Sequence, residues 1–430
     1  MFGLDQGTLL WIMSFVIFCM FLLGMPIFLC VAYWSLCASL ITGFTIENIG
    51  ITCYQGISSY ALLAMPLFIL TGDLIGEGGV AAKMADLSRL MLCRIRGGMA
   101  MAVQLCCAIF SAVSGSNSAT VATIGRIMIP EMDRQGYNKD FSAATAAAGG
   151  ITGIMIPPSI LMIVYGYAAN TSVLDLFMAG WVPGITMTLA LMAGAYYWSS
   201  KYKWGFMAPF DSKATLRALV ASHYGIWAIV LILVIVYNGI ASSTEAAGVI
   251  AAYCLLVGVF ATRGIKLKNI PGVFLASGRV CGMLAPIIAV SIVLQQNFAV
   301  IGVQTMLSTF LTGLGSKWVT MGAIMLLITG MSMIMESISL TIVLAPVVAP
   351  IAFSLGFDPT HFGIIFITGL CIGFIMPPFG LDLFVASGIT GIPYARLIRW
   401  LPPYLIANWV NWIIIALIPW LSLCLVTKPF

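Results

Sequence analysis

Of 430 residues, 61% are hydrophobic and only 8% are charged, with a mean hydropathy of +1.08. A water-soluble domain of that length has no interior large enough for so much apolar surface. The runs are also too long for the dyad alternation of a barrel, so the chain reads as an all-α polytopic membrane protein. The net charge of +5 says less than the placement of its charges, and eleven cysteines with no CxxC pair read as small buried apolar residues.

Residues 9–41 exceed the apolar region of a signal peptide and lack its cationic lead, so they are expected to stay in the protein. Segments near 8–22, 25–42, 58–76, 141–168 and 179–199 are predicted to cross the membrane. Residues 97–130 differ. Their apolar arms, 97–113 and 119–130, are shorter than the roughly 20 residues a crossing needs. Between them stand Ser114, Gly115, Ser116, Asn117 and Ser118. This pattern predicts a re-entrant hairpin, because non-helical backbone at membrane depth is tolerated only when buried in protein or lining a cavity. Next comes GGITGIMIPPS (149–159), where Pro157 and Pro158 remove two backbone donors and break the helix over 141–168.

The second half repeats the first. Displaced by 220 positions, Pro66, Pro130, Pro157, Pro158 and Pro183 land on Pro286, Pro350, Pro377, Pro378 and Pro403, and of the prolines in 1–200 only Pro26 misses. Gly136, Gly149 and Gly153 land on Gly356, Gly369 and Gly373 without a gap. Two repeats are therefore predicted, 1–200 and 225–430, joined by a cytoplasmic linker over 201–224. The second carries a hairpin at 318–352 and a broken helix at 361–388, around GLCIGFIMPPFG (369–380). About five crossings per repeat is an odd number, so the repeats are predicted to be inverted, an organisation of secondary transporters. Of the 19 Lys and Arg residues, all fall on one side of this topology except Lys317 and Lys428 opposite, and Arg126 and Arg279 inside segments. The positive-inside rule makes the basic side cytoplasmic and both termini periplasmic.

Each break frees carbonyls suited to a cation and, at the next half-helix, N–H groups with a positive dipole end suited to a carboxylate. Ser114, Gly115, Ser116 and Asn117, with Gly150, Gly153, Pro157 and Ser159, form one candidate sodium set. Glu336, Ser337 and Ser339, with Gly369, Gly373, Pro377 and Asp382, form the second. Hard oxygen ligands suit Na⁺ and no transition metal; Na⁺ is the coupling ion and no other cofactor is expected. Ser116, Asn117, Ser118, Ser159 and Ser337 are the candidate substrate residues. Close helix packing alone does not account for four breaks at symmetry-related positions. Glu336 either binds Na⁺ or shapes its tip by accepting N–H bonds, and Asp382 is either a ligand or a half-helix cap. Glu245 in SSTEAAG reads as an N-terminal cap. Asp73 and Glu77 read as surface charges, and Arg126 as half of an interfacial pair with Glu131.

The stretches SGSNSATVATIGRIMIPEM, GGITGIMIPPSILMIVYG, SSTEAAGV, MESISLTIVLAPVVAPIAFSLGFDPTHFG and PPFGLDLFVASGI resemble signatures of the large membrane subunit of TRAP (tripartite ATP-independent periplasmic) transporters. The likeness covers essentially the whole chain. It implies Na⁺-driven uptake of an organic acid, sialic acid or a C4-dicarboxylate, across a bacterial inner membrane, with a lean to sialic acid that rests on no single residue. It also implies delivery by a periplasmic substrate-binding protein and a small four-helix membrane subunit, separate in this unfused form. The implied fold is of the elevator type, in which a transport domain slides against a scaffold. Cation sites would lie where tip 114–118 meets break 149–159 and where tip 335–339 meets break 369–380, with substrate between the tips. Asp382 stands where Asn is expected, Asp73 follows TG where Asn is commoner, and Ser116-Asn117 replaces a double serine. A serine enzyme at SGSNS is disfavoured, because no GxSxG or HExxH occurs. A self-sufficient carboxylate/Na⁺ symporter and a passive channel are the other readings.

Overall fold

The structure, a computed structural model, describes residues 6–25, 27–43, 46–313, 315–333, 335–378 and 380–426. Pro26, Lys428 and Phe379 of the second double-proline turn lie outside the described residues. Among those described, every regular element is a helix. In chain order these are α1 (Gln6–Leu22), α2 (Ile27–Thr42), α3 (Ile46–Ile57), α4 (Ala64–Glu77), α5 (Val80–Leu92), α6 (Gly98–Ser114) and α7 (Asn117–Arg134). Then follow α8 (Lys139–Gly150), α9 (Thr152–Met155), α10 (Ile160–Ala168), α11 (Val173–Tyr202) and α12 (Ser212–Ala221). The second half holds α13 (His223–Tyr237), α14 (Ser243–Leu256), α15 (Ile270–Ile301), α16 (Val303–Thr312), α17 (Lys317–Ser332) and α18 (Ser337–Ser354). It ends with α19 (Pro359–Gly373), α20 (Leu381–Thr390), α21 (Tyr394–Ile398), α22 (Pro402–Leu417) and α23 (Trp420–Leu423).

By length and composition, four helices among the described residues are able to cross a membrane alone, and up to seven spans result if each bent pair counts as one. The bends are 70° between α4 and α5, 46° at the first double proline and 57° between α12 and α13. The apolar segments expected near 8–22, 25–42, 58–76, 141–168 and 179–199 fall on α1, α2, α4, α8–α10 and α11. Helix α5 occupies what read as a basic connecting stretch. It buries Val80, Ala81, Met84, Ala85 and Ser88 on one face and turns Lys83, Asp86 and Arg89 to the other, a short amphipathic helix at the edge of the apolar region. Glu245 closes a capping box with Ser242 at the start of α14, as its motif predicts.

Helix bounds recur along the chain. Adding 220 to the bounds of α7 gives those of α18, and α5 so displaced covers 300–312, over α16. Where the first half has α3 and α4 parted near Ser58 and Ser59, the second runs unbroken through α15.

The most buried elements are α8–α10, α18 and α19; every residue of α8 except its first, Lys139, is buried. Around them pack α6, α7, α11, α17 and α22. Small residues let the backbones approach, as in other membrane bundles: a methyl group at Gly369 would lie 2.5 Å from Cζ2 of Trp412. That indole is fully buried, and its Nε1 donates to the carbonyl of Ile365 at 2.8 Å. Trp412→Ala is expected to cost about 3–5 kcal/mol of stability, the usual range for emptying a buried aromatic site. Thermal unfolding of the detergent-purified chain measures it, and an unchanged melting temperature would show that Trp412 is not what locks α22 onto α19.

Candidate functional site

The first hairpin turns in two residues. Gly115 closes α6 in the left-handed region (φ 61°), its N–H bonded to Ser111 O, and Ser116 opens α7 in an extended conformation with its Oγ accepting from Ala119 N at 3.4 Å. Only glycine fits the first place, since a Cβ there would also lie 2.8 Å from the carbonyl oxygen of Pro158. The tip is thus shorter than 114–118: Ser114 ends one helix, and Asn117 and Ser118 begin the next. The second tip is capped by an acid. Glu336 Oε2 accepts from Ile338 N at 2.9 Å and Ser339 N at 3.2 Å, and Ser337 Oγ donates to Oε1 at 2.9 Å. Of its two expected roles, shaping the tip is the one this geometry displays.

Both tips dock on the breaks. Ile160 N, at the start of α10, donates to Gly115 O at 3.4 Å. A methyl group at Gly153 would lie 2.5 Å from Ser116 O and 2.7 Å from Asn117 N, so tip and break touch through backbone. At the second tip, the same group at Gly373 would lie 1.8 Å from Ser332 Oγ at the end of α17. The Pro157–Pro158 and Pro377–Pro378 bonds are both cis. Ser159 is fully buried and its Oγ donates to Ile154 O at 2.7 Å, across the first break. Pro157 packs toward Gly180 of α11, and Gly369 faces Trp412 and Ile328 instead of a tip. Ser339 Oγ is buried and has no hydrogen-bond partner among the described residues.

Asp382 corrects the expected pairing. Assigned to the second tip or to a cap of its own half-helix, it does neither: its Oδ1 accepts from Asn117 Nδ2 at 2.7 Å, at the first tip. It is fully buried, and among the described residues Oδ2 has no hydrogen-bond partner. A methyl group at Gly150 would sit 2.1 Å from Val121 Cγ2, 3.0 Å from that oxygen and 3.3 Å from Asn117 O, so first tip, first break and second half-helix meet in close contact there. The cause is a crossing of the halves, with α20 packed on α7 and α8 while α10 packs on α18. Three hydroxyls that sequence reading passed over lie beneath this tip. Ser111 Oγ is 3.0 Å from Thr152 Oγ1, which donates to Gly149 O at 2.8 Å, and Thr120 Oγ1 donates to Ser116 O at 2.7 Å. Their only signals are that hydroxyl residues continue into the helices on either side of the tip, as at Ser111 and Thr120, and that Thr152 stands between the glycines of the first break.

A cavity of about 420 Å³ separates the tips. Residues 114–119 line it from one side and Glu336, Ser337 and Ile338 from the other, with Ile160 and Leu381 from the half-helices after the breaks. It shares Asp73, Ala119 and Ala122 with a second cavity of about 550 Å³ that extends past Glu77, Arg126, Asn269 and Gly272. Two expectations fail here. Asp73 is half-buried on the cavity wall, accepting from Ser277 Oγ, and is no plain surface charge. Arg126 forms no pair with Glu131, whose partners are Arg89 at 3.6 Å and Arg134 at 3.1 Å; it faces the larger cavity instead. Helical spacing explains this, because positions five apart diverge by well over a right angle while Arg134, three residues on, shares the face of Glu131.

A helical bundle with apolar outer faces, in which two hairpin tips set hydroxyls and a carboxylate on an otherwise apolar cavity wall, has the build of a polytopic membrane protein. Residues 14–421 match the family described as Tripartite ATP-independent periplasmic transporter, DctM component, and the chain belongs to it. It is similar to the C4-dicarboxylate TRAP transporter large permease protein DctM of Pseudomonas aeruginosa, 38% identical over 386 residues that cover 89% of this chain and 90% of the relative. It is also similar to the sialic acid TRAP transporter large permease protein SiaM of Vibrio cholerae, 28% identical over 406 residues, 94% of this chain and 95% of the relative. Among solved structures, Neisseria gonorrhoeae MtrF shares the fold with a TM-score of 0.60 at 15% identity, over 89% of this chain and 85% of that one. The chain is a TRAP large membrane subunit, a permease and not an enzyme.

Gly153→Val is expected to push the first tip off its break, because the atoms it meets are backbone and have no rotamer to yield. A cost of about 1–3 kcal/mol follows for such overpacking, with loss of transport and normal membrane insertion. Transport at the parent rate would mean that the contact between tip and break is dispensable.

Proposed function

We propose that the chain is the Na⁺-coupled, substrate-translocating subunit of an organic-acid symporter that works by an elevator movement. The single observation that carries this reading is the convergence of four helix N-termini, those of α7, α10, α18 and α20, on one cavity of about 420 Å³. Each brings a positive dipole end, which favours a carboxylate, while Ser116, Gly115 O and Glu336 already accept from first-turn N–H groups of α7, α10 and α18. Yet the cavity wall carries Asp73 and Glu336 and no Lys or Arg, with Asp382 buried behind the first tip. An anionic substrate entering such a site meets like charge in a poorly screened setting, so it needs accompanying cations. Na⁺ at the junctions of tips and breaks supplies them: one among Ser114, Gly115, Ser116, Asn117, Gly150 and Gly153, now with Asp382, and one among Glu336, Ser337, Ser339 and Gly373.

The repeat of helix bounds every 220 positions supports two inverted repeats, and the basic loops support a cytoplasmic face for one side and periplasmic termini. The larger cavity runs from the site toward Asn269 and Gly272, beside basic Lys266 and Lys268, which supports a site open to the cytoplasm. Substrate then arrives, in the opposite state, from a periplasmic binding protein, and a small four-helix subunit braces the scaffold. The electrical part of the Na⁺ gradient supplies about 2.3 kcal/mol per charge per 100 mV. The closer identity to a permease named for C4-dicarboxylates than to one named for sialic acid makes a C4-dicarboxylate the first substrate to try.

Proteoliposomes holding both membrane subunits test the reading. Uptake of a labelled C4-dicarboxylate or sialic acid is expected only with an inward Na⁺ gradient and the cognate binding protein. Ser116→Leu and Glu336→Leu are each expected to lower Na⁺-driven uptake at least about tenfold, a change of roughly 1.4 kcal/mol. Full uptake without Na⁺ would overturn the coupling, and full uptake without the binding protein would favour a self-sufficient symporter. Asp382→Asn keeps a hydrogen-bonding partner for Asn117 but removes the charge. It is expected to raise the Na⁺ concentration for half-maximal uptake about tenfold, and an unchanged Na⁺ dependence would take Asp382 out of the cation set.

A further inference from the structure

Outside the transport site, α11 and α22 leave a groove of about 540 Å³ on the molecular surface. Its floor and walls are Ala193, Gly194, Tyr197, Trp198, Ile406 and Ala407. The small residues make the hollow, and at Gly194 the helices come so close that a methyl group would lie 2.8 Å from the Tyr404 ring. Apolar stripes flank it on both sides, exposed at Ile185, Leu189 and Tyr196 on α11 and at Ile406, Val410, Ile413 and Leu417 on α22. Spacings of three, four and seven put each stripe on one helix face, so in a membrane protein the groove opens into hydrocarbon.

The rim at one end is cationic. Arg399 lines the groove and lies over the Trp400 ring at 4.9 Å, and Lys201 lies over Trp198 at 5.0 Å. The two indoles meet edge to face with centroids 5.2 Å apart, and Trp198 Nε1 donates to Trp400 O at 2.8 Å, so one rigid aromatic wall holds both cations at the same end. Among the described residues neither Lys201 nor Arg399 has a carboxylate partner, whereas the neighbouring Arg396 pairs with Asp140 at 2.9 Å. The rim charge is entirely side-chain charge, because Pro402 and Pro403 remove the N–H groups that the first turn of α22 would otherwise offer. Unpaired cations above a hydrocarbon-facing groove complement one kind of molecule, an acidic amphiphile.

We propose that this groove is a specific site for an anionic phospholipid, with its headgroup phosphate held between Arg399 and Lys201 and one acyl chain lying along Ala193, Ile406 and Ala407. Basic pockets between membrane helices at the face rich in Lys and Arg recognise such headgroups by charge, while the groove recognises the chain by shape. The site is independent of the transport reading.

The test uses the full chain purified in detergent with its native lipids, followed by native mass spectrometry and thermal unfolding with added phosphatidylglycerol or phosphatidylcholine. The parent chain is expected to retain phosphatidylglycerol preferentially and to gain more thermal stability from it. The double variant Lys201→Gln/Arg399→Gln is expected to lose that preference with a roughly tenfold to thirtyfold fall in retained anionic lipid, the effect of removing two interfacial cations. Ala193→Trp fills the groove from an exposed position and is expected to lose the bound lipid with the rim intact, which keeps the proposal testable if the double variant does not fold. Arg96→Gln, another basic residue outside the groove, is expected to change nothing. Equal retention of the two lipids by the parent, an unaltered preference in the double or groove-filling variant, or an equal loss in Arg96→Gln would overturn the proposal in favour of general attraction to a basic surface. Stabilisation by inorganic phosphate alone would overturn it in favour of a soluble anion.

Discussion

Every helix end that stops inside a bilayer leaves N–H and C=O groups that hydrocarbon cannot satisfy. This chain stops helices at four places inside its apolar bundle, at two tips and two double-proline turns, and the remainder of the structure answers the deficit that such ends carry away from water. The tips are brought onto the breaks, so that Gly115 O receives Ile160 N and the backbone of Ser116 and Asn117 lies against Gly153. Ser116 and Glu336 cap their helices with side-chain oxygens, and Ser159 bridges its own break. Glycine at the contacts follows from this, because any side chain at Gly153 or Gly373 would separate the groups that need one another.

The arrangement also concentrates dipoles. Helices that end inside the bundle point their ends at each other, and here four N-terminal ends share one cavity. In water such ends are screened; in a protein-lined hollow they are not, so the same feature that threatens the fold makes a strong site for charge.

Much of this was legible in the residues because glycine and proline punctuate a membrane chain loudly. The tips, the breaks, their 220-residue spacing and the capping box at Ser242 all carry local signals. Helix α5 carries no comparable signal, because Lys83, Asp86 and Arg89 interrupt its apolar residues and only the buried face shows its register. Asp73, Arg126 and Asp382 were misread for a different reason. Each was judged against its neighbours in sequence, yet its surroundings come from far along the chain: Ser277 beside Asp73, Asn269 and Gly272 across the cavity from Arg126, and Asn117 against Asp382. No local pattern encodes that α20 crosses to the hairpin of the other half.

That crossing bears on how the protein is made. Asn117 and Asp382 lie 265 residues apart, and a chain emerges and inserts from its N-terminus. The first hairpin is therefore made long before the helix that covers its far side exists. Its tip waits, closed on its own break but open where Asp382 will lie, until a further 265 residues have been synthesised. Completion of the earliest-made part of the site is thus among the last events of assembly, and a chain truncated before α20 leaves that tip without its second wall.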